Sequence, residues 1–467
     1  MNDFAAPCLP VVGSDTLVPL VDGRQVTYAN LDCAASAPAL TVVADRVNQI
    51  LPLYASVHRG AGYLSQVSTA LYEESRQTIG RFVGARGDDV TIITRNTTDS
   101  LNLLAGCVPA EHGKPGKVLV LDVEHHANLL PWKAAVGGAT VLYGGASVAE
   151  TLDLLRTELA RESYSLVAAT GASNVTGESL PVADLVAIAH AAGARVVLDG
   201  AQLVPHRRFS LEETGVDYVA FSGHKTYAPF GAGALVGRRD WLDQGTPYLA
   251  GGGAVRQVTV DEVFWTNAPA RHEAGSPNVI GAAALASACE ALAALPEGAL
   301  EAHENLLRAR LVEGLESIDG IRIVRAWEDA VNPVGVVTFA VRDCDPGLVA
   351  AYLSAEHGIG VRDGRFCAHP LLNRLGFDSG AIRASVGVGT TIAEVDRLIH
   401  ALRVWVAEGV HTNYEVTDGC WAVKDDPRPT PANSGLHGLI ATAAAALGGV
   451  SACGPAPSAA ALAGANA

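Results

Sequence analysis

Between Gly116 and Val236 the chain alternates short β-branched runs with longer alanine- and leucine-rich stretches. No other feature constrains the fold as much. A strand, a helix and a second strand in repetition build a mostly parallel sheet flanked by helices. The expected strands are 117–121, 140–143, 165–170, 195–199 and 217–221, with helices over 148–162 and 182–192. Ligands of such sheets sit beyond the carboxyl ends of the strands. Glu124-His125, Asp199 and Ser222 all fall at those ends, so the pattern gathers them into one expected site.

The residues at that site have a coherent chemistry. Lys225 follows Ser222-Gly223-His224, and an Asp199-Gly200-Ala201-Gln202 turn lies upstream. A lysine able to form a Schiff base, beside a carboxylate able to pair with a protonated pyridine nitrogen, suits pyridoxal phosphate (PLP), which carries the electron-sink chemistry itself. Gln202 would meet the ring's phenolic oxygen, and His125 or its neighbour His126 would stack on the ring. Thr97 and Thr98 open a helical run, and free N–H groups there suit a phosphate, although an ordinary N-cap reads the same way. Ser222 and His224 can add phosphate donors.

Past about residue 280 the texture changes. Helical patterns at 281–295 and 301–317 precede short strands at 321–324 and 334–340. A helix at 346–357, a strand and loop at 359–370, a strand at 382–386 and a closing helix at 392–406 follow. Arg383 lies in an apolar strand, where it needs a carboxylate, either a substrate's or one of the protein's own. Cys367 lies in a loop bounded by Gly364 and Pro370. Near cationic groups such a cysteine can be a thiolate nucleophile, but a lone cysteine is more often an inert small hydrophobe. No metal site is expected.

Composition narrows the partners. A net charge of −16 over 467 residues disfavours nucleic acid and anionic membrane, which need a basic footprint. The eight cysteines are scattered without a CxxC pair. They suit reduced thiols and, with no signal-peptide pattern at the N-terminus, a cytoplasmic location. The residues after 410 are rich in Pro, Gly, Ala and Asn and read as a partly extended or disordered tail with a weak helix at 436–447.

With these residues in place, the chain resembles the class V aminotransferase family of fold type I PLP enzymes, and within it the group II cysteine desulfurases and selenocysteine lyases. The resemblance runs from about Tyr28 to Leu402. It is carried by Leu31-Asp32-Cys33-Ala34-Ala35, Val57-His58-Arg59-Gly60, Glu124-His125-His126-Ala127-Asn128, Asp199-Gly200-Ala201-Gln202, Ser222-Gly223-His224-Lys225, Glu273-Ala274-Gly275-Ser276-Pro277-Asn278 and Arg362-Asp363-Gly364-Arg365-Phe366-Cys367-Ala368.

It implies an α/β chain of the PLP-dependent transferase fold type I. An N-terminal segment 1–35 would pack on a small α+β domain at 281–409. A large PLP-binding domain would span 36–280, and a tail 410–467. By resemblance, Lys225 is the Schiff-base lysine, Asp199 and Gln202 contact the pyridine, and His125 stacks. Thr97, Thr98, Ser222 and His224 hold the phosphate, with Ser276 supplied by the second subunit of a homodimer. Asn174 lies near the cofactor oxygen and the substrate carboxylate. Arg383, Arg362 and Arg59 serve the substrate, and Cys367 takes the persulfide.

The implied activity is L-cysteine desulfuration to L-alanine, with sulfur passed to an acceptor protein or a small thiol. Selenocysteine lyase, carbon–sulfur β-lyase and epimerase activities are the alternatives, and a non-catalytic scaffold for sulfur transfer is a third class. One departure stands out. The family motif before the cysteine reads Gly-His-His-Cys-Ala, and this chain has Gly364-Arg365-Phe366-Cys367-Ala368.

Overall fold

The computed structural model describes residues 7–58, 60–111 and 114–429. Its centre is a seven-stranded sheet of β1 (Asp89–Thr94), β2 (Val118–Leu121), β3 (Ala139–Leu142), β4 (Leu166–Thr170), β5 (Arg195–Asp199), β6 (Tyr218–Ser222) and β7 (Gly233–Arg238), in the order β1-β7-β6-β5-β4-β2-β3. β2 to β6 run parallel; β7 is antiparallel to both β6 and β1. Strands such as Val118-Leu119-Val120-Leu121 are buried along their whole length, the pattern of a sheet covered on both faces. The sequence pattern anticipated the parallel strands to within a residue or two. It did not single out β1 or β7.

Local chemistry sets the flanking helices. The helix Val148–Arg161 is capped by the Ser147 hydroxyl, which accepts from the Glu150 N–H, and it turns Leu152, Leu155 and Leu159 inward. The helix Val279–Ala293 is apolar on nearly every side and is buried accordingly. Truncating a fully buried leucine such as Leu155 to alanine is expected to cost about 2–5 kcal/mol.

A second sheet holds β8 (Ile321–Ile323), β9 (Val336–Val341), β10 (Arg362–Gly364) and β11 (Ala381–Ser385), in the order β8-β9-β11-β10 and antiparallel throughout. Helices Ala299–Glu316, Pro346–His357 and Ile392–Glu408 pack on it around a core that includes Leu311, Phe339, Leu353 and Leu398. The last helix starts with a reciprocal capping box between Thr391 and Glu394. The stretch 359–370 resolves into two short strands and the helix His369–Arg374. Ala29–Asn30 pairs in parallel with Ile359–Gly360, and Asp32 bridges to Ser385, so the N-terminal segment is stitched to this sheet.

After the helix ends, residues 410–429 do not trail away. β12 (Tyr414–Thr417) and β13 (Cys420–Val423) form a hairpin packed on the helix Pro346–His357. The rest of the tail, with the helix expected at 436–447, lies outside the described residues. Among the described residues no helix is long and apolar enough to cross a membrane.

Candidate active site

The carboxyl ends of β5 and β6 open into a cavity of about 260 Å³ closed on the opposite side by the second sheet. β6 ends at Ser222 and the chain turns at once. A Cβ on Gly223 would lie 2.7 Å from the Ala232 carbonyl oxygen and 2.9 Å from that of Ala228, so only glycine permits the turn that delivers Lys225. Lys225 lines the cavity and is partly buried. Burial lowers its amine to about 8; Asp199 pulls the other way and Arg383 adds to the depression.

Asp199, at the end of β5, is buried, and one carboxylate oxygen accepts from the Ala201 N–H at 3.0 Å. Burial raises its pKa, opposed by that hydrogen bond and by Lys225. Gln202 donates from Nε2 to the Ala34 carbonyl at 2.7 Å, and its buried Oε1 has no partner among the described residues.

The anion-binding end is built by the helix Thr97–Ala105. Asn96 caps it, its side chain accepting from the Asp99 N–H, and Asn96, Thr97 and Thr98 all line the cavity. The Thr97 N–H donates to Ser222 Oγ at 2.8 Å, and the two hydroxyls lie 2.6 Å apart. Close approach of β7 makes this possible, since a Cβ on Gly233 would come within 2.7 Å of Asn96 Cα. His224 lines the same end, its imidazole lowered to about 4 by burial and by Lys225.

His125 also lines the cavity. Its Nδ1 accepts from the Ala127 N–H at 3.0 Å, leaving the ring proton on Nε2. Burial, with Lys225 adding to it, lowers His125 to about 3, so the ring is neutral near pH 7. The segment is pinned by buried Glu124, which accepts from Asn128 Nδ2 at 2.6 Å and from the Thr170 N–H at 2.9 Å. Burial raises Glu124 well above the carboxylate range. His126 lies outside the cavity, its ring packed edge-on against His369 with centroids 4.6 Å apart.

The second sheet supplies the remaining wall. Arg383, from β11, is only 3% exposed. It donates to Asp32 Oδ1 and to the Asn174 carbonyl, each at 3.0 Å, while its buried Nε has no partner among the described residues. Burial lowers its pKa, with Asp32 opposing. Asn174 Nδ2 donates to the Phe366 carbonyl at 2.7 Å, and the Phe366 ring lies 5.2 Å from the Arg383 guanidinium. Arg362 and Cys367 complete the wall. Phe366 and Cys367 are both left-handed, with φ of 52° and 53°, a strained pair held by its surroundings.

The cavity thus gathers Thr97, Thr98, His125, Asn174, Asp199, Gln202, Ser222, His224, Lys225, Arg362, Cys367 and Arg383. Ser276 is exposed and outside it, and Arg59 lies outside the described residues. Sequence reasoning missed Asn96 as the cap, Asp32 as the partner of Arg383, and the Glu124 strut. Only Asn96 carried a local signal, three residues before Asp99 and one before the helical run.

The aminotransferase class-V family model matches residues 29–398. The chain belongs to this family. Among class V relatives, "Probable cysteine desulfurase 2" from Mycobacterium leprae (strain TN) is 38% identical over 387 residues, covering 81% of this chain and 91% of its own length. "Cysteine desulfurase" from Dickeya dadantii (strain 3937) is 36% identical over 388 residues, covering 82% and 92%. In three dimensions the chain is similar to the cysteine desulfurase CsdA (S-sulfonic acid) from Escherichia coli, with a TM-score of 0.72 and 32% identity over 81% of this chain and 95% of the other. The apo cysteine desulfurase from Thermococcus onnurineus NA1 gives a TM-score of 0.74 at 32% identity with the same coverage. The class V match ends before the β12–β13 hairpin.

Proposed function

We infer that this protein is a PLP-dependent L-cysteine desulfurase that releases L-alanine and carries the sulfur as a persulfide on Cys367. The observation that carries the reading is the meeting of Lys225, Asp199, Arg383 and Cys367 in one cavity. The donor set fits the cofactor. A helix N-terminus with hydroxyls suits its phosphate, a buried carboxylate its ring nitrogen, and a buried low-pKa amine its aldehyde. Gln202, whose buried Oε1 has no hydrogen-bond partner among the described residues, lines the same space.

When bound, PLP supplies an electron sink that acidifies the Cα proton of an attached amino acid. The rest is the work of this chain. Thr97, Thr98, Ser222 and His224 hold the phosphate. Asp199 keeps the pyridine nitrogen protonated, and neutral His125 covers the ring. Arg383, with Asn174 and Arg362, grips the substrate carboxylate. Lys225 anchors the cofactor and, once displaced, takes the Cα proton, a task suited to an amine near 8. The Cys367 thiolate attacks the substrate sulfur. The Cβ–S bond breaks with its electron pair left on the carbon side, an S–S bond to Cys367 Sγ forms, and Cβ and Cα each take a proton, the latter returned by Lys225, to give alanine.

The same reading divides the chain into a large unit over 36–280 and a small one over 281–409. It makes the protein a cytoplasmic homodimer: Ser276 is exposed outside its own cavity, and Tyr63, 79% exposed, and Val260, fully exposed, offer open apolar surface.

The test is alanine formation from cysteine by wild type and Cys367→Ser, with intact-protein mass spectrometry. The serine variant should bind cysteine but make alanine only at background, and wild type should gain one sulfur on Cys367. Unchanged alanine output in Cys367→Ser, with no added sulfur in wild type, overturns the reading and leaves a lyase that does not need the thiol.

A further inference from the structure

The motif that departs from the family pattern around Cys367 has a structural counterpart. Arg365 stands two residues before Cys367 and His369 two residues after it. His369 packs its ring on that of His126, and the His126 N–H donates to the Cys367 carbonyl at 2.8 Å. Arg365 donates from Nη2 to Asn373 Oδ1, and its buried Nε has no hydrogen-bond partner among the described residues. All three basic side chains are partly exposed, and none lines the inner cavity. Cys367, which does line it, is thus joined to this outer cluster through its own carbonyl and through its neighbours in sequence.

Among the described residues the cluster carries no internal counter-charge. The charges acting on His126 are His369 and Arg365, and the charge acting on His369 is Arg365, with no carboxylate among them in the described residues. On a chain of net charge −16, such a group is a local opening for an anion.

The turn is also firmly held. Asn174 Nδ2 binds the Phe366 carbonyl at 2.7 Å, the Ala368 N–H binds the Arg365 carbonyl at 3.0 Å, and Arg374 Nε pairs with Asp122 at 2.6 Å just beyond. Two successive left-handed residues, Phe366 and Cys367, leave little freedom to swing outward. An acceptor has to come in to the sulfur, which favours a slender molecule over a folded partner.

We propose that Arg365, His126 and His369 form an acceptor port at Cys367 that takes a small thiol bearing a carboxylate. The proposal rests on the desulfurase reading above. The carboxylate docks on Arg365. The acceptor thiol gives its proton to an imidazole of the His126–His369 pair, which burial and Arg365 keep neutral and so free to accept one. The thiolate attacks the outer sulfur of the Cys367 persulfide. The S–S bond to Cys367 Sγ breaks with its electron pair left on Sγ, and a new S–S bond forms on the acceptor. No oxidant or reductant is consumed, and the imidazolium returns its proton to water.

The test starts from holoenzyme loaded with cysteine and desalted, with persulfide occupancy on Cys367 set equal by mass spectrometry. Transfer rates to 3-mercaptopropionate, 2-mercaptoethanol and cysteamine are measured and corrected for thiol ionisation. Wild type should favour 3-mercaptopropionate over cysteamine by about tenfold or more, the scale of one charged hydrogen bond. Arg365→Lys should keep that ranking and Arg365→Glu should reverse it. Arg365→Gln, which should flatten the ranking, carries the test if the glutamate variant does not fold. Equal rates in wild type, or a ranking unmoved by Arg365→Gln or Arg365→Glu, overturn the port. A wild type that loads no sulfur at all brings down the desulfurase reading, and the port with it.

Discussion

The cavity has a floor and a rim, and they are made differently. The floor comes from consecutive strand ends of one parallel sheet: Asp199 ends β5, Ser222 ends β6, and Lys225 follows three residues later. Each side chain is placed by its own strand and by local turns such as the one at Gly223. The rim comes from β10, β11 and the turn after β10, in another sheet, and is held by partners far away in sequence. Arg383 is fixed by Asp32, 351 residues upstream, and Phe366 by Asn174, 192 residues upstream. The floor is thus preorganised by topology, whereas the rim depends on how two sheets meet. The departure from the family motif at Arg365 and Phe366 falls at the rim, away from the strand ends that make the floor.

The sharpest way to break this contrast is at the floor. Lys225→Ala should remove the visible absorption of bound cofactor and lower turnover by on the order of 10⁴-fold or more. Borohydride reduction of wild type should fix the cofactor on the peptide containing Lys225, and labelling of another lysine would move the floor elsewhere. The same residue sets a pH dependence. Burial lowers it to about 8, so the reactive neutral amine grows as pH rises through that value and is lost below it. At pH 7 about a tenth of the molecules carry it, against well under a thousandth for an ordinary lysine near 10.4. Cofactor uptake by apo-protein should therefore rise about tenfold per pH unit below 8 and level off above. A rate still climbing steeply at pH 9.5 would mean that Lys225 is not held in a desolvated floor.

Asp199→Asn sharpens the contrast by one charge. The amide keeps the shape and can still accept from the Ala201 N–H, so cofactor should still bind. Without the charge it cannot hold the pyridine nitrogen protonated, and turnover should fall roughly a hundredfold or more. Steady-state alanine release, measured beside cofactor content, separates the two effects. Near-normal turnover would place the ring's partner elsewhere.

The same distinction explains what could be seen in the sequence. Floor residues were legible because a strand end and the turn after it are contiguous, and the 195–199 and 217–221 runs announce themselves by composition. The antiparallel β7 was not singled out, since Gly231-Ala232-Gly233-Ala234-Leu235-Val236-Gly237 has too many glycines to look like a central strand. One of those glycines, Gly233, is what lets β7 lie against Asn96. The Asp32–Arg383 pair had no local signature, and its formation depends on the first segment crossing to the second sheet. The β12–β13 hairpin did have one. Asp418-Gly419 is a strong two-residue hairpin turn, and both residues have positive φ, 51° and 79°. Reading the tail by its overall composition hid it.

The hairpin offers the smallest and most discriminating test, because it loads only the rim's sheet. Glu356, on the helix behind β10, is 9% exposed and accepts from Tyr414 Oη at 2.9 Å and from the His411 N–H at 3.2 Å. On the next strand Trp421 lies against Gly347, where an added Cβ would come within 3.1 Å of the indole. Tyr414→Phe removes one hydrogen bond to a buried carboxylate and should cost about 1–3 kcal/mol. In a chain of this size that lowers the melting temperature by a few degrees at most. Ending the chain at Val410 removes the whole cover and leaves Glu356 without either partner, so its loss should be larger than that of Tyr414→Phe. If the floor is independent of the rim, both variants should keep the wild-type cofactor absorption at 25 °C and the same pH profile for cofactor uptake, while melting earlier. A shift in that absorption would mean that strain on the rim's sheet reaches Lys225, and the separation of floor from rim would fail. An unchanged melting temperature in the truncated chain would instead make the hairpin a passive appendage to the second sheet.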